Sequence, residues 1–318
     1  MRRIAAVAAL ALTFADTQAT FDTKAASFSI TFSGESAAYR DVSASVLPGA
    51  TLALEASGPP GDYTLQAADG GVVTSGAPRQ WHWRAPRVPG VYDLRFGSPV
   101  AKDKDQDAIV LHVFVMVPAT EVRDGFLNGY RIGQYPSKPL NDNPLYLPPA
   151  GFIEVTKANQ DTKVSPHFRL KQFLCKEDTS KTFPKYVVLK ERLPLKLEAI
   201  LERVNMRGFH VDTLHVMSGY RTPYYNHAIG DVVYSQHQWG SAADVFVDKD
   251  DRGRMDDLTQ DGRVDADDSK YLYDLVEQLL DEPGYGKFQG GMGFYRATAA
   301  HPPFVHVDVR GTRARWVG

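Results

Sequence analysis

Cys175 is the only cysteine among 318 residues, so no disulfide can form within the chain and its stability must come from packed cores. Long apolar runs are scarce too. The one extended stretch, Ile4 to Ala15, follows Arg2 and Arg3 and precedes a small residue at Ala19. That is the pattern of a secretory signal peptide over residues 1–19, and it points to a periplasmic or secreted protein. No later segment approaches the roughly 20 residues that span a bilayer, so the chain is not expected to be membrane-embedded. Basic runs are missing as well, and with a net charge of −2 a nucleic-acid partner is not expected. What the chain does have is an apolar fraction of 43%, enough for two cores at this length.

From 20 to 118 short β-rich runs alternate with turns: FSITF, TLALEA, DYTLQA, WHWRA, GVYDLRF and IVLHVFVMV are separated by Pro-Gly and Asp-Gly-Gly breaks. The pattern predicts an all-β, immunoglobulin-like antiparallel sandwich, whose ligand it does not reveal. Trp81, Trp83, Tyr92, Phe96 and Phe114 are its core and edge aromatics, not a sugar platform. His82 and His112 have no partner spacing, and the charged run Lys102 to Asp107 reads as a solvated loop. A connector rich in Pro, Gly and Asn follows over 119–164, either crossing one side of the second domain or covering it as a lid.

The remainder, 165–318, predicts an α+β domain in which helices pack on a small antiparallel sheet. Ser165 and Pro166 read as a helix start, with Phe168, Phe173, Leu174 and Cys175 buried along it. A second helix runs from Leu195 to Met206 with Leu197, Ile200, Leu201 and Val204 as its stripe, and Gly208 ends it. TLHVM, AADVFV and FVHVDV read as strands.

Chemistry concentrates on these strands. His237 stands seven residues before Asp244 in HQWGSAAD, and His306 lies downstream in FVHVDVRG. Two imidazoles and a carboxylate are a suitable protein half of a catalytic zinc site, which uses three ligands and leaves a fourth position for water. Gly240 permits the sharp turn that returns Asp244 toward the histidine.

The order SGYRTPYYN, HQWGSAAD and HVD resembles the zinc D-alanyl-D-alanine peptidases of bacterial cell walls. That group also includes vancomycin-resistance dipeptidases, endolysin peptidases and the hedgehog fold. The resemblance covers the last half of the chain. It implies zinc ligation by His237, Asp244 and His306, and a catalytic role for Arg221, whose guanidinium can stabilise a developing oxyanion. Ser218, Tyr220, Asn226 and Ser235 are candidate substrate-binding residues.

One departure is chemical. The family's better-known members carry a glutamate or histidine base two or three residues before the last ligand, where this chain has Phe304 and Pro303. Asp308 and His301 are the substitutes on offer. Asp308 is either a base or a carboxylate orienting His306, since residues two apart on a strand share a face.

Between the second and third ligands, DLTQDGRVDADD follows the spacing of a dockerin or EF-hand calcium loop inserted at about 248–268. Asp257, Thr259, Asp261, the Arg263 carbonyl, Asp265 and Asp268 fall at ligand positions, with Gly262 at the turn. The sum is a zinc metallopeptidase acting on peptidoglycan or its peptide fragments, as a D,D-carboxypeptidase or endopeptidase, by attack of an activated water. The alternative is a non-catalytic wall-binding or signalling module containing zinc and calcium.

Overall fold

A computed structural model describes residues 21–100, 107–177 and 182–318. The expected signal peptide and most of the charged loop at 102–107 lie outside the described residues. The fold is mostly β, with several small sheets and few helices.

Nine strands build the N-terminal part: β1 (Ala25–Phe32), β2 (Glu35–Tyr39), β3 (Asp41–Val46), β4 (Thr51–Ser57), β5 (Thr64–Ala67), β6 (Val72–Ser75), β7 (Gln80–Arg84), β8 (Gly90–Gly97) and β9 (Ala108–Val115). They form two sheets, ordered β2-β1-β4-β7-β6 and β3-β9-β8-β5. Alternation drives the burial. In β4, Leu52, Leu54 and Ala56 point inward while the residues between them are exposed, and β7 buries Trp81 and Trp83 in the same way. Phe96 and Phe114 are also buried, and Tyr92 packs against Trp83. Burying a side chain of the size of Phe96 stabilises by about 2–3 kcal/mol.

The sheets are not wholly antiparallel, as the pattern had suggested. β3 and β9 run parallel from Asp41↔Val110 to Val46↔Val115. Only Arg40 separates β2 from β3, so the chain switches sheets in one step and meets β9 in the same direction. Side-chain alternation reports which face is buried; it carries no information on the direction of the partner strand.

His112, unassigned from sequence, sits on β9 between two carboxylates. Its Nδ1 is 2.7 Å from Asp93 Oδ1 and its Nε2 3.3 Å from Asp41 Oδ1, while Lys163 Nζ donates to Asp41 Oδ2 at 2.7 Å. Burial alone pushes the imidazole pKa down, but the two aspartates outweigh it and raise it to about 9. A raised folded-state value means stability that is fully present below the unfolded value near 6.5 and lost as pH rises through 9. The unfolding free energy of the wild type from urea titration should therefore exceed that of His112→Gln at pH 6 by on the order of 2–3 kcal/mol, with the gap closing by pH 9.5. A gap independent of pH would contradict this.

Short pairings follow. β10 (Val117–Pro118), β13 (Gly151–Val155) and β16 (Lys185–Val187) make a three-stranded sheet. β11 (Phe126–Leu127) with β12 (Tyr130–Arg131), and β14 (Lys163–Ser165) with β15 (Phe168–Arg169), make two hairpins. The helix expected from Ser165 is thus absent. Pro166 and His167 instead form the turn between paired Ser165 and Phe168, and only a single 3₁₀ turn over Leu170–Phe173 follows. Phe168, Leu170 and Phe173 are buried nonetheless, as is Cys175.

Helix α1 (Arg192–Met206) buries Leu193, Leu197, Ile200, Leu201 and Val204. After α2 (Pro223–Ala228), helix α3 (Ala266–Leu280) buries Leu272, Leu275, Val276, Leu279 and Leu280, the stripe read from sequence. These helices flank a five-stranded sheet of β17 (His215–Ser218), β18 (Ala242–Phe246), β19 (Gly291–Tyr295), β20 (Phe304–Asp308) and β21 (Ala314–Val317), in the order β17-β18-β20-β19-β21. All its pairings are antiparallel except β19 with β21. One continuous buried cluster joins this part to the two N-terminal sheets. Polar contacts reinforce the join: Ser43 Oγ donates to the Val164 carbonyl at 3.0 Å, and Arg192 pairs with Glu35 at 2.7 Å.

Candidate metal centre

Register in the C-terminal sheet sets the site. Ser218 pairs with Asp244, Asp244 with His306, His306 with Gly293 and Gly293 with Trp316. Directly opposed residues share a face, so these five form one row across all five strands.

His237 reaches the row from a 3₁₀ turn, Gln236–Trp239. The turn is pinned on one side by Trp239, whose Nε1 donates to the Leu147 carbonyl at 2.9 Å and whose ring packs on Tyr135 and Tyr146. On the other side Gly240 adopts φ +65°, and a Cβ there would stand 2.0 Å from the Val188 carbonyl oxygen. Only glycine permits that approach, which turns the chain into β18 and brings Asp244 under His237. The 119–164 connector therefore packs against the turn that carries His237.

His237 Nε2 lies 3.2 Å from Asp244 Oδ1 and 3.2 Å from His306 Nδ1, and His306 Nδ1 lies 2.9 Å from Asp244 Oδ1. All three residues are buried. Ligand atoms around a tetrahedral zinc, with bonds of about 2.0–2.1 Å, are separated by about 3.3 Å, so this donor set fits such an ion. The outward nitrogens fix the tautomers. His237 Nδ1–H donates to the Gly219 carbonyl at 2.7 Å, leaving Nε2 as a lone pair. His306 Nε2 has no hydrogen-bond partner but faces Asp308 Oδ2 at 3.5 Å, which favours the proton on Nε2 and the lone pair on Nδ1. Burial lowers the pKa of His237, keeping it neutral and able to ligate. Asp244 is held well below the usual carboxylate range, because the adjacent imidazoles outweigh the cost of burying its charge.

Residues 166–268 match the family described as Peptidase M15. The matched span includes Arg221, His237 and Asp244 and supports an M15 zinc peptidase, a zinc-dependent class. No curated protein and no solved structure matches the chain.

In this M15 peptidase-like site Arg221 is locked in place. Its Nε–H donates to Ser218 Oγ at 2.9 Å, one terminal nitrogen to Asp231 Oδ2 at 2.7 Å and the other to Asp244 Oδ2 at 2.5 Å. Asp244 thus turns one oxygen to the histidines and the other to Arg221. Asp231, which sequence reading missed, is in turn placed by Asn226: the Asp231 amide donates to the Asn226 carbonyl at 3.1 Å, and Asn226 Nδ2 donates to the Val232 carbonyl at 3.0 Å.

The candidate substrate-binding residues are all buried around the Arg221 and His237 segments. Tyr220 is buried, with its hydroxyl 3.1 Å from that of Tyr135, so it packs the interior and presents nothing to a ligand. Asn226 is buried as a loop brace. Ser235 is buried at the head of the His237 turn, where its carbonyl accepts from the Gln238 amide. Ser218 supports Arg221. A residue the sequence did not suggest stands on the open flank instead: the half-buried Trp316 ring lies 5.1 Å from that of His306, and its Nε1 donates to Tyr295 Oη at 2.7 Å. Gly293 makes room, since a Cβ there would meet Trp316 Nε1 at 2.2 Å.

The two candidate bases differ sharply. Asp308 is buried, and its oxygens accept from the Gly291 amide at 2.8 Å, the Arg310 amide at 3.0 Å and Arg310 Nε at 2.8 Å. Burial works against its charge, but His306 and Arg310 prevail and hold the carboxyl far below its ordinary range. Such a group orients His306; it is a poor proton acceptor near neutrality. His301 lies in the loop before β20, its ring 5.0 Å from that of Phe304 and its Nδ1 bonded at 2.9 Å to the Pro302 carbonyl. Nε2 is left available.

In the acidic loop, Asp257 Oδ2 accepts from the Gly262 amide at 2.7 Å, and Asp268 Oδ1 from the amides of Leu258 and Thr259 at 2.7 and 3.0 Å. Asp261 Oδ1 accepts from the Arg263 amide, and Asp265 caps α3 by accepting from the Asp267 amide. Each of these carboxylates thus accepts at least one backbone amide within the loop. Among the described residues, the groups that converge as a shared ligand set are His237, Asp244 and His306, and His215, Asp248 and Asp251.

Proposed function

We propose that this chain is a zinc metallopeptidase that hydrolyses peptide bonds of peptidoglycan, as a D,D-carboxypeptidase or endopeptidase, in the periplasm or outside the cell. The observation that carries the reading is the convergence of His237 Nε2, Asp244 Oδ1 and His306 Nδ1, with Arg221 fastened to the same aspartate. Zinc held there supplies Lewis acidity and makes water acidic enough to act as a nucleophile near neutral pH. Arg221 commits three of its five N–H groups to Ser218, Asp231 and Asp244, which leaves two for a substrate carbonyl oxygen as it gains charge. Trp316 and Tyr295 give the substrate an apolar wall beside His306. His301 handles the proton, since Asp308 is saturated. The sandwich holds the enzyme at the wall or against a partner.

One observation favours a rival reading as a wall-binding or signalling module that cuts nothing: Asp308, the carboxylate facing His306 Nε2, is a poor base. Digestion of muropeptides by the purified full chain, read by mass spectrometry, separates the two. We expect peptide cleavage or release of D-alanine that stops with chelator and returns with zinc, and a drop of about 10²-fold or more in His301→Ala with zinc retained. Zinc-loaded protein that binds muropeptides intact supports the rival.

The loop at 257–268 is proposed to bind calcium through Asp257, Thr259, Asp261, the Arg263 carbonyl, Asp265 and Asp268. Calcium should then raise the melting temperature of the wild type and leave Asp257→Asn/Asp261→Asn unaffected; equal responses would exclude the loop.

A further inference from the structure

A second group of metal-ligating side chains lies on the same sheet, apart from the centre described above. His215 pairs with Phe246, whose side chain is on the same face as Asp244 two residues earlier, and its ring stacks on Phe246 at 4.5 Å with an interplanar angle of 9°. The stacking fixes the direction of the imidazole. Two residues beyond Phe246, the carboxylate of Asp248 is almost wholly shielded, with a side-chain exposure of 1%. It is held by the amides of Arg252 at 2.9 Å and Gly253 at 2.7 Å. Asp251, at the exposed turn of the same loop with φ +51°, completes the group. One atom from each of the three lies within 4.8 Å of the others.

The closest pair, His215 Nδ1 and Asp248 Oδ2, is 3.6 Å apart. That is too long for a hydrogen bond, yet compatible with two ligands sharing one ion at bond lengths of about 2.0–2.2 Å.

We propose that His215, Asp248 and Asp251 form a second divalent-cation site that takes a first-row transition ion such as zinc. An imidazole in the ligand set selects such an ion over calcium or magnesium, which prefer oxygen alone. The ion ties the start of β17 to the loop that leaves β18. The catalytic reading is not needed for this inference.

The test is metal stoichiometry of the full chain after equilibrium dialysis against zinc, with excess calcium present throughout to occupy the acidic loop. The wild type should hold two zinc ions per chain. His215→Ala should hold one, and so should Asp251→Asn, which changes only an exposed loop side chain and guards against misfolding of the first variant. His237→Ala should also hold one, lost when His215→Ala is added. The proposal is overturned if the wild type binds a single ion that disappears with His237→Ala, or if both His215→Ala and Asp251→Asn still bind two. A wild-type ion that survives His237→Ala and is lost in His215→Ala would uphold this site and defeat the first.

Discussion

Asp244→Asn is expected to remove zinc and hydrolytic activity together. Asp244 is the hinge of the site: Oδ1 faces both ligand imidazoles and Oδ2 accepts from Arg221 at 2.5 Å. An amide keeps the shape of the side chain but loses its charge, and with it most of the attraction for a dication. Removing a partner that only orients a ligand already costs about 10–100-fold in affinity or activity, so loss of a ligand charge should cost on the order of 10³-fold or more. Because the pair with Arg221 is buried, removing its charge should also lower stability by about 3 kcal/mol or more. Metal content, rate and melting temperature measured on one preparation check all three. Retention of a tenth of the wild-type rate would rule out Asp244 as a ligand.

Arg221→Lys separates metal binding from chemistry. Lysine can keep one contact to Asp244, so the carboxylate stays paired and zinc content should hold. What it loses is the planar fork that lets one guanidinium grip Ser218, Asp231 and Asp244 and still aim donors at the substrate. Donors preorganised toward a developing oxyanion are worth about 10²–10³-fold in kcat each, so kcat should fall by that amount while KM moves little. A kcat within about threefold of wild type would show that Arg221 only braces Asp244. Zinc loss in proportion to activity would show the same.

The convergence of His237, Asp244 and His306 was legible in part because the elements that carry them are locally encoded. Gly240 and the small residues after it announce a turn into a strand, and the alternation of FVHVDV puts His306 and Asp308 on one face. Helices α1 and α3 were legible from their apolar stripes. Features that depend on distant partners were not. Asp231 looks like an ordinary loop acid until Arg221 reaches it across ten residues, and Trp316 joins the site only because β21 pairs beside β19 in parallel. Tyr220 sits next to Arg221 in sequence yet points into the interior, since neighbours along an extended segment face opposite ways. Ser165 and Pro166 carry a helix-start signal, but Phe168, Leu170 and Phe173 are buried from a hairpin and a 3₁₀ turn instead, where tertiary pairing overrides propensity. His112 has no local signal at all; its partners Asp93 and Asp41 come from two other strands.

The most direct measurement of the central claim is a crystal structure of zinc-loaded protein, with anomalous data on both sides of the zinc absorption edge. We expect an anomalous peak bonded to His237 Nε2, Asp244 Oδ1 and His306 Nδ1 at about 2.0–2.2 Å, with His306 Nε2 turned to Asp308. An empty centre at saturating zinc, or His306 bound through Nε2 with its ring turned away from Asp308, would contradict it.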